Sequence, residues 1–215
     1  MKKFLNFLNK IFLFNKVIKT LILADAALLA GFGFIWPIFA IFIDEYIEGG
    51  DVRVAGFATS IYWIVLSLVL IPFGKYLDRN HGEKDDLYFI IIGNALGAAA
   101  VFGFIFASLP WHIYLLQGIY AIGMGMNIPG YTAIFTRHID KGKEALSWST
   151  RAASVGIGAG VAGALGGTIV HYFGFNVLFL GVVILLLISA AVPILIFKEL
   201  IHEEKKDAQG FQKIK

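Results

Sequence analysis

Six continuous apolar stretches, at about residues 17–43, 54–77, 87–108, 111–136, 145–170 and 175–198, leave this chain few folds to choose from. A run of roughly 20 apolar residues is what one helix needs to cross the hydrocarbon core of a bilayer. A membrane β-barrel would instead show segments of about ten residues with alternating polarity, and alternation is missing here. Composition agrees: 58% of residues are hydrophobic and 15% charged, against about 45–50% and about 25% in soluble domains. These values exclude a water-soluble enzyme and a disordered chain. The expected fold is all-α and integral to the membrane, with six transmembrane helices. The breaks at 44–53, 77–86, 108–112, 137–144 and 171–175 carry charges, Gly or Pro, the usual punctuation between helices.

Lysine and arginine set the orientation, because they are retained on the cytoplasmic side of short loops. With both termini inside, 17 of the 18 Lys and Arg residues fall on the cytoplasmic side and only Arg53 lies outside. The first outer loop is acidic, with Asp44, Glu45, Glu48 and Asp51. Three regions follow: an amphipathic cytoplasmic segment at 1–16, a membrane domain at 17–198 and a polar cytoplasmic tail at 199–215. In the first, Phe4, Leu5, Phe7, Leu8, Ile11 and Phe12 are expected to face lipid. The expected location is the cytoplasmic (inner) membrane of a prokaryote.

A charge at the centre of a spanning helix costs about 2.5–3.5 kcal/mol on insertion scales, so intramembrane ionisable residues are functional candidates. Asp25 and Arg151 both lie roughly 12 Å in from the cytoplasmic ends of their helices, at 1.5 Å per residue, and can meet as an ion pair. Two readings stay open: a structural bridge, or a proton-exchanging aspartate governed by its arginine. Gln117, Tyr120, Met124, Asn127 and Tyr131 share one face of the fourth helix at 3–4–3–4 spacing. Asp25, Leu29, Phe32, Trp36 and Phe39 do the same on the first. Two polar-aromatic stripes read either as walls of a water-accessible cavity or as ordinary helix packing. The spacing does not show which way Tyr62 and Trp63 point.

In the fifth helix, Gly156, Gly160, Gly163 and Gly167 form a stripe of small residues, expected to be covered by another helix of this chain or a second one. Cysteine is absent, which removes disulfides and thiolate chemistry. No metalloprotease, nucleophile-elbow or phosphate-loop motif occurs, so neither an enzyme nor a cofactor or metal site is expected, and nucleic acid is not an expected partner.

The loop after the second helix resembles that of the major facilitator superfamily of secondary transporters, with the pattern G-x-x-x-D-R-x-G-R-K. Gly74, Asp78 and Arg79 match in spacing, Gly82 arrives one residue late, and Glu83-Lys84 replaces the basic pair. The first helix ends GFGFIWPIFAIF, similar to the family's Gly-rich, Pro-containing helix. Gln117-Gly118 fits the fourth-helix motif, with Tyr114 where an arginine is expected. The fifth helix resembles the antiporter motif through Gly158, Gly166 and Gly167, with Ala162 and Gly163 replacing Gly-Pro.

The resemblance implies a 3+3 inverted repeat and a transporter, a symporter or antiporter, moving a small solute by alternating access. Family members have two six-helix halves, and this sequence reads as one. A parallel homodimer with its two-fold axis along the membrane normal would then rebuild the whole. Asp78 would cap the partner's fifth helix near residues 144–147, and Arg79 and Asp140 would complete a cytoplasmic charge cluster. Asp25 is expected to couple to protons or recognise substrate charge. Arg151, Trp36, Phe32, Gln117, Tyr120, Asn127 and Tyr131 are expected around a sugar-like or amphipathic organic solute. The alternative is a non-transporting or regulatory half that pairs with a different six-helix partner.

Overall fold

The computed structural model describes residues 14–80 and 82–200. The amphipathic segment lies outside the described residues except at its end, as does the polar tail beyond residue 200. Residue 81 of the loop motif also lies outside them.

Asn15 starts the first helix. Its side-chain oxygen accepts the Ile18 N–H at 2.9 Å, and its amide donates to the His138 carbonyl at 2.7 Å. The cap thus satisfies an orphan donor and ties the helix start to a distant turn. Helix α1 (Lys16–Ile35) runs to a short 3-10 turn at Trp36–Ile38, where Pro37 lacks the N–H that an α-helix requires. The chain continues as α2 (Phe39–Tyr46). Beyond the turn, Asp51 caps α3 (Val52–Asn80), accepting the Val54 N–H at 3.0 Å. Hydrogen bonds from the Arg53 side chain and the Val54 backbone hold the Asp51 carboxyl below its usual range.

Helices α4 (Glu83–Phe104) and α5 (Pro110–Arg137) form an antiparallel hairpin. Gly93 packs directly on the Gly123 backbone, and Gly97 meets Met124 and Tyr120. A Cβ at residue 93 would overlap the Gly123 carbonyl oxygen, so the backbones touch because both side chains are absent. Helix α4 stops at Phe104, four residues short of the apolar run's end at 108. Ser108 instead uses its carbonyl to accept the Glu48 N–H at 2.9 Å, which joins two loops at the same end of the molecule.

The last helix, α6 (Glu144–Ala191), has 48 residues. At 1.5 Å per residue a straight helix of that length would reach about 72 Å, far beyond a core of about 30 Å. Gly174 breaks it, with φ 79° and ψ 170°. The contacts on either side run in opposite directions. Residues 158, 159 and 166 lie against Ala26, Gly33 and Phe34, rising together with α1. Beyond the break, Phe175 packs on Tyr46, Val182 approaches Gly31, and Glu199 pairs with Lys16, falling back along the same helix. The chain therefore reverses at Gly174 into two arms, 144–173 and 175–191. Pro193 then sits in a 3-10 turn (Val192–Ile196).

Among the described residues, four helical segments are long and apolar enough to cross a membrane: Lys16–Tyr46, Val52–Arg79, Glu83–Phe104 and Glu144–Leu200. No strand occurs among the described residues. Two apolar cores stack along the bundle. One is centred on Phe42, Phe104, Phe175 and Phe179, and the other on Ile18, Leu21, Phe135 and Ile196 near the charged end.

Within this chain the small-residue stripe is covered only in part. Among its four glycines only Gly163 faces α1, within 3.7 Å of Gly33 and Pro37. Nothing lies within 4 Å of a Cβ built at Gly156, Gly160 or Gly167. Helix α1 packs instead on the neighbouring Ala159 and Gly166, where a Cβ at Gly33 would stand 2.7 Å from the Ala159 oxygen. The contact face is rotated from the stripe because two backbones approach most closely at those positions.

Candidate functional site: a polar-aromatic cavity between α1, α3, α5 and α6

Two adjoining cavities of about 300 and 130 Å³ lie between the helices. They share Phe32, Trp36, Tyr62 and Tyr120. Helix α1 contributes Asp25, Leu29 and Phe32 to their walls, the 3-10 turn adds Trp36 and α2 adds Phe39, and α5 contributes Gln117, Tyr120, Met124, Asn127 and Tyr131. The two sequence stripes thus face one connected space. Gln117 lines only the smaller cavity, while Asp25, Asn127, Tyr131 and Arg151 line only the larger one.

At the floor of the larger cavity, Arg151 Nη2 lies 2.8 Å from Asp25 Oδ2. The parallel run of α1 and the first α6 arm brings these two residues to the same level. The Asp25 side chain is 4% exposed and that of Arg151 is 28% exposed, so Arg151 is the more accessible member of the pair. The Arg151 guanidinium carbon also lies 5.0 Å from the Tyr131 ring centre and 5.6 Å from that of Trp148. These cation–π contacts hold the side chain in place while using none of its N–H donors. Arg151 Nε is buried and makes no hydrogen bond among the described residues.

Asn127 connects the cavity to the interior. Its amide donates to Asn94 Oδ1 at 2.8 Å, and the Asn94 amide donates to Ser189 Oγ at 2.9 Å. All three side chains are buried, so the chain of bonds joins α4, α5 and the second arm of α6. On the opposite wall Tyr62 stacks obliquely on Tyr120, with ring centres 5.7 Å apart, and meets Trp63 edge to face at 5.2 Å. Trp36 and Trp63 remain 54% and 53% exposed, which leaves this side of the cavity open.

The charged end of the bundle departs from the expected cluster. Asp140 pairs with Lys143 of its own turn at 2.9 Å, and Asp78 and Arg79 are exposed. Asp140 therefore does not join Arg79: a partner three residues away is reached at lower conformational cost. The buried cluster there is a different one. Arg137 pairs with fully buried Asp86 and lies 4.0 Å from Glu83, whose Oε1 is 3.5 Å from His138 Nδ1. Gly74 faces open space, and Gly82 is the extended N-cap of α4. Glu144 accepts the Gly142 N–H within the turn before α6.

Sequence reasoning missed Trp148, Asn94, Ser189 and the Asp86–Arg137 pair. Trp148 stands three residues before Arg151, hence on the same helical face, and that spacing was a usable signal. Asn94 is a lone amide inside an apolar run, an equally visible sign of a buried polar contact.

The sequence profile of the Major Facilitator Superfamily matches residues 21–214. The chain belongs to this superfamily. That places it among integral, multi-pass membrane proteins of a transporter class. No curated protein matches the chain closely enough to add a more specific relative.

Proposed function

We propose that this superfamily member is a secondary transporter that carries a small amphipathic organic solute by alternating access, with protons coupled through Asp25. The observation that carries this reading is the ion pair between Asp25 and Arg151 at the wall of a cavity between helices. A pair of opposite charges inside apolar surroundings is expensive to bury. Arg151 of this pair is 28% exposed and lines the cavity, which favours use over mere bracing.

In this reading the chain crosses the membrane six times with both termini in the cytoplasm, as two three-helix repeats of inverted topology. The reversal at Gly174 supports a separate crossing by each arm of α6. The 28 residues of α5 supply a helix of about 42 Å. The lysine and arginine bias supports the orientation in a prokaryotic inner membrane. Two copies assemble in parallel about an axis along the membrane normal. The open glycines of α6 and the exposed Trp36 and Trp63 support a second copy as their cover. Asp78 is then free to reach the partner's α6 start, as its exposure permits.

Reconstituted liposomes with a trapped pH dye test the reading directly. Sugars, aromatic amines and aromatic carboxylates are added in turn under an imposed pH gradient. One class is expected to move protons with it, and Asp25→Asn is expected to abolish that flux while leaving the protein folded. Solute movement that ignores the gradient in the wild type would leave a facilitator without coupling. If no class moves, transport itself is rejected.

A further inference from the structure

Resting on the proposed transport site, we infer that its solute is an aromatic monocarboxylate, held by Arg151 and accompanied by one proton. The sign of the ligand's charge follows from which member of the ion pair is within reach. Asp25 is enclosed and Arg151 is not, with side-chain exposures of 4% and 28%. A solute entering the cavity of about 300 Å³ meets the guanidinium first.

The guanidinium also has unused capacity. It carries five N–H donors in a planar fork suited to a carboxylate. Its bridge to Asp25 Oδ2 at 2.8 Å is made by Nη2, and the Tyr131 and Trp148 ring centres lie 5.0 and 5.6 Å from the guanidinium carbon. A cationic solute would meet the opposite situation. It would have to approach Asp25 past Arg151, with like charges only a few ångströms apart.

The remaining wall selects the body of the solute. Phe32, Trp36 and Tyr62 offer ring faces and edges at the other end of the cavity, while Thr132 adds a hydroxyl near the charged end. One guanidinium accommodates one carboxylate, and the aromatic wall accommodates a ring.

Charge balance then requires the proton. The empty site holds Asp25 as an anion and Arg151 as a cation and is neutral. A bound carboxylate would bring the total to minus one in a region of low dielectric, which is unfavourable. Uptake of one proton by the two carboxyl groups sharing Arg151 restores neutrality, and the pair behaves as one coupled site. The groups facing Asp25 from the helices packed on it are Arg151 of α6 and Tyr131 of α5. Binding should therefore tighten as pH falls.

The test uses the full chain in lipid nanodiscs and three probes of one shape: naphthalene carboxylate, its amide, and naphthalene methylamine in its cationic form. Quenching of tryptophan fluorescence reports binding, and calorimetry in buffers of different ionisation heat counts protons. The carboxylate is expected to bind about tenfold or more tightly than either analogue, taking up about one proton. In Asp25→Asn/Arg151→Gln, which keeps the site neutral, carboxylate affinity is expected to fall to that of the amide. Preference for the amine, equal binding of all three, or wild-type affinity in the double variant overturns the inference. The wild-type comparison decides even if the double variant does not fold. Carboxylate binding without flux in liposomes keeps this inference and removes the transporter reading. Flux of another solute without carboxylate binding does the reverse.

Discussion

At Asn94 a single side chain determines how three helices meet. Its carbonyl accepts from Asn127 and its amide donates to Ser189, with all three residues buried. In water such a network is worth about 0.5–1.5 kcal/mol per bond, and in membranes the measured average is nearer about 0.6 kcal/mol. Asn94→Ala removes both bonds and leaves Asn127 and Ser189 unpaired, so a loss of about 1–2 kcal/mol is expected in a detergent-unfolding titration. Ser189→Ala should cost less, since only one bond is broken. A double-mutant cycle between Asn94 and Asn127 checks the contact itself. A coupling energy of zero would show that these amides do not interact. At this scale Asp25, Arg151 and Asn127 were legible as polar residues inside apolar runs. Ser189 was not, because its hydrogen bond with Asn94, 95 positions away, leaves no local pattern.

For the elements, the decisive position is the break in α6. Gly174 adopts φ 79° and ψ 170°, a region essentially reserved for glycine. Gly174→Ala places a Cβ in that conformation, at a cost of about 1–3 kcal/mol, and should lower the midpoint of thermal unfolding by several degrees. Gly181→Ala provides the contrast. That residue is helical with nothing within 4 Å of a Cβ, and alanine is the better helix former by about 1 kcal/mol, so stability should hold or rise. Equal behaviour of the two variants would mean that the reversal does not depend on Gly174. The sequence marks this break only as a short HYFGF interval between apolar runs. The sharpness of the turn is a backbone property of one residue.

Taken whole, the bundle carries apolar side chains on both its inner and outer faces. The second arm of α6 buries Val182 and Leu186 against α1 and α4, while α3 and both arms keep large apolar side chains outward, among them Ile64, Leu68, Ile157, Val161 and Ile184. Outward apolar side chains are normal toward lipid, where tails are as apolar as leucine. Open glycines differ, since they give lipid little to contact and a second helix a close approach. Single-molecule photobleaching in dilute bilayers is therefore expected to show two copies per particle. Gly160→Leu fills space that is open within the chain, so it should leave the fold intact and shift particles toward single copies. A wild type that bleaches in one step removes the dimer. A variant that remains dimeric moves the interface to another face.

Sequence alone determined what depends on composition and period. Long apolar runs require helices in a bilayer because lipid cannot satisfy backbone polar groups. The 3–4 spacing places Asp25 with Trp36, and Gln117 with Tyr131, on shared faces whatever their neighbours are. The family was legible from Gly74, Asp78, Arg79 and the Gly-rich helices. Tertiary structure decided how those faces rotate against one another. It turned α1 onto Ala159 and Gly166 and away from the glycine stripe, and it brought Asp86 to Arg137 while Asp140 stayed with Lys143. It also left Arg151 accessible and Asp25 enclosed. Rotation about a helix axis is set by the sum of many small packing contacts between distant segments, and no spacing within one segment encodes that sum.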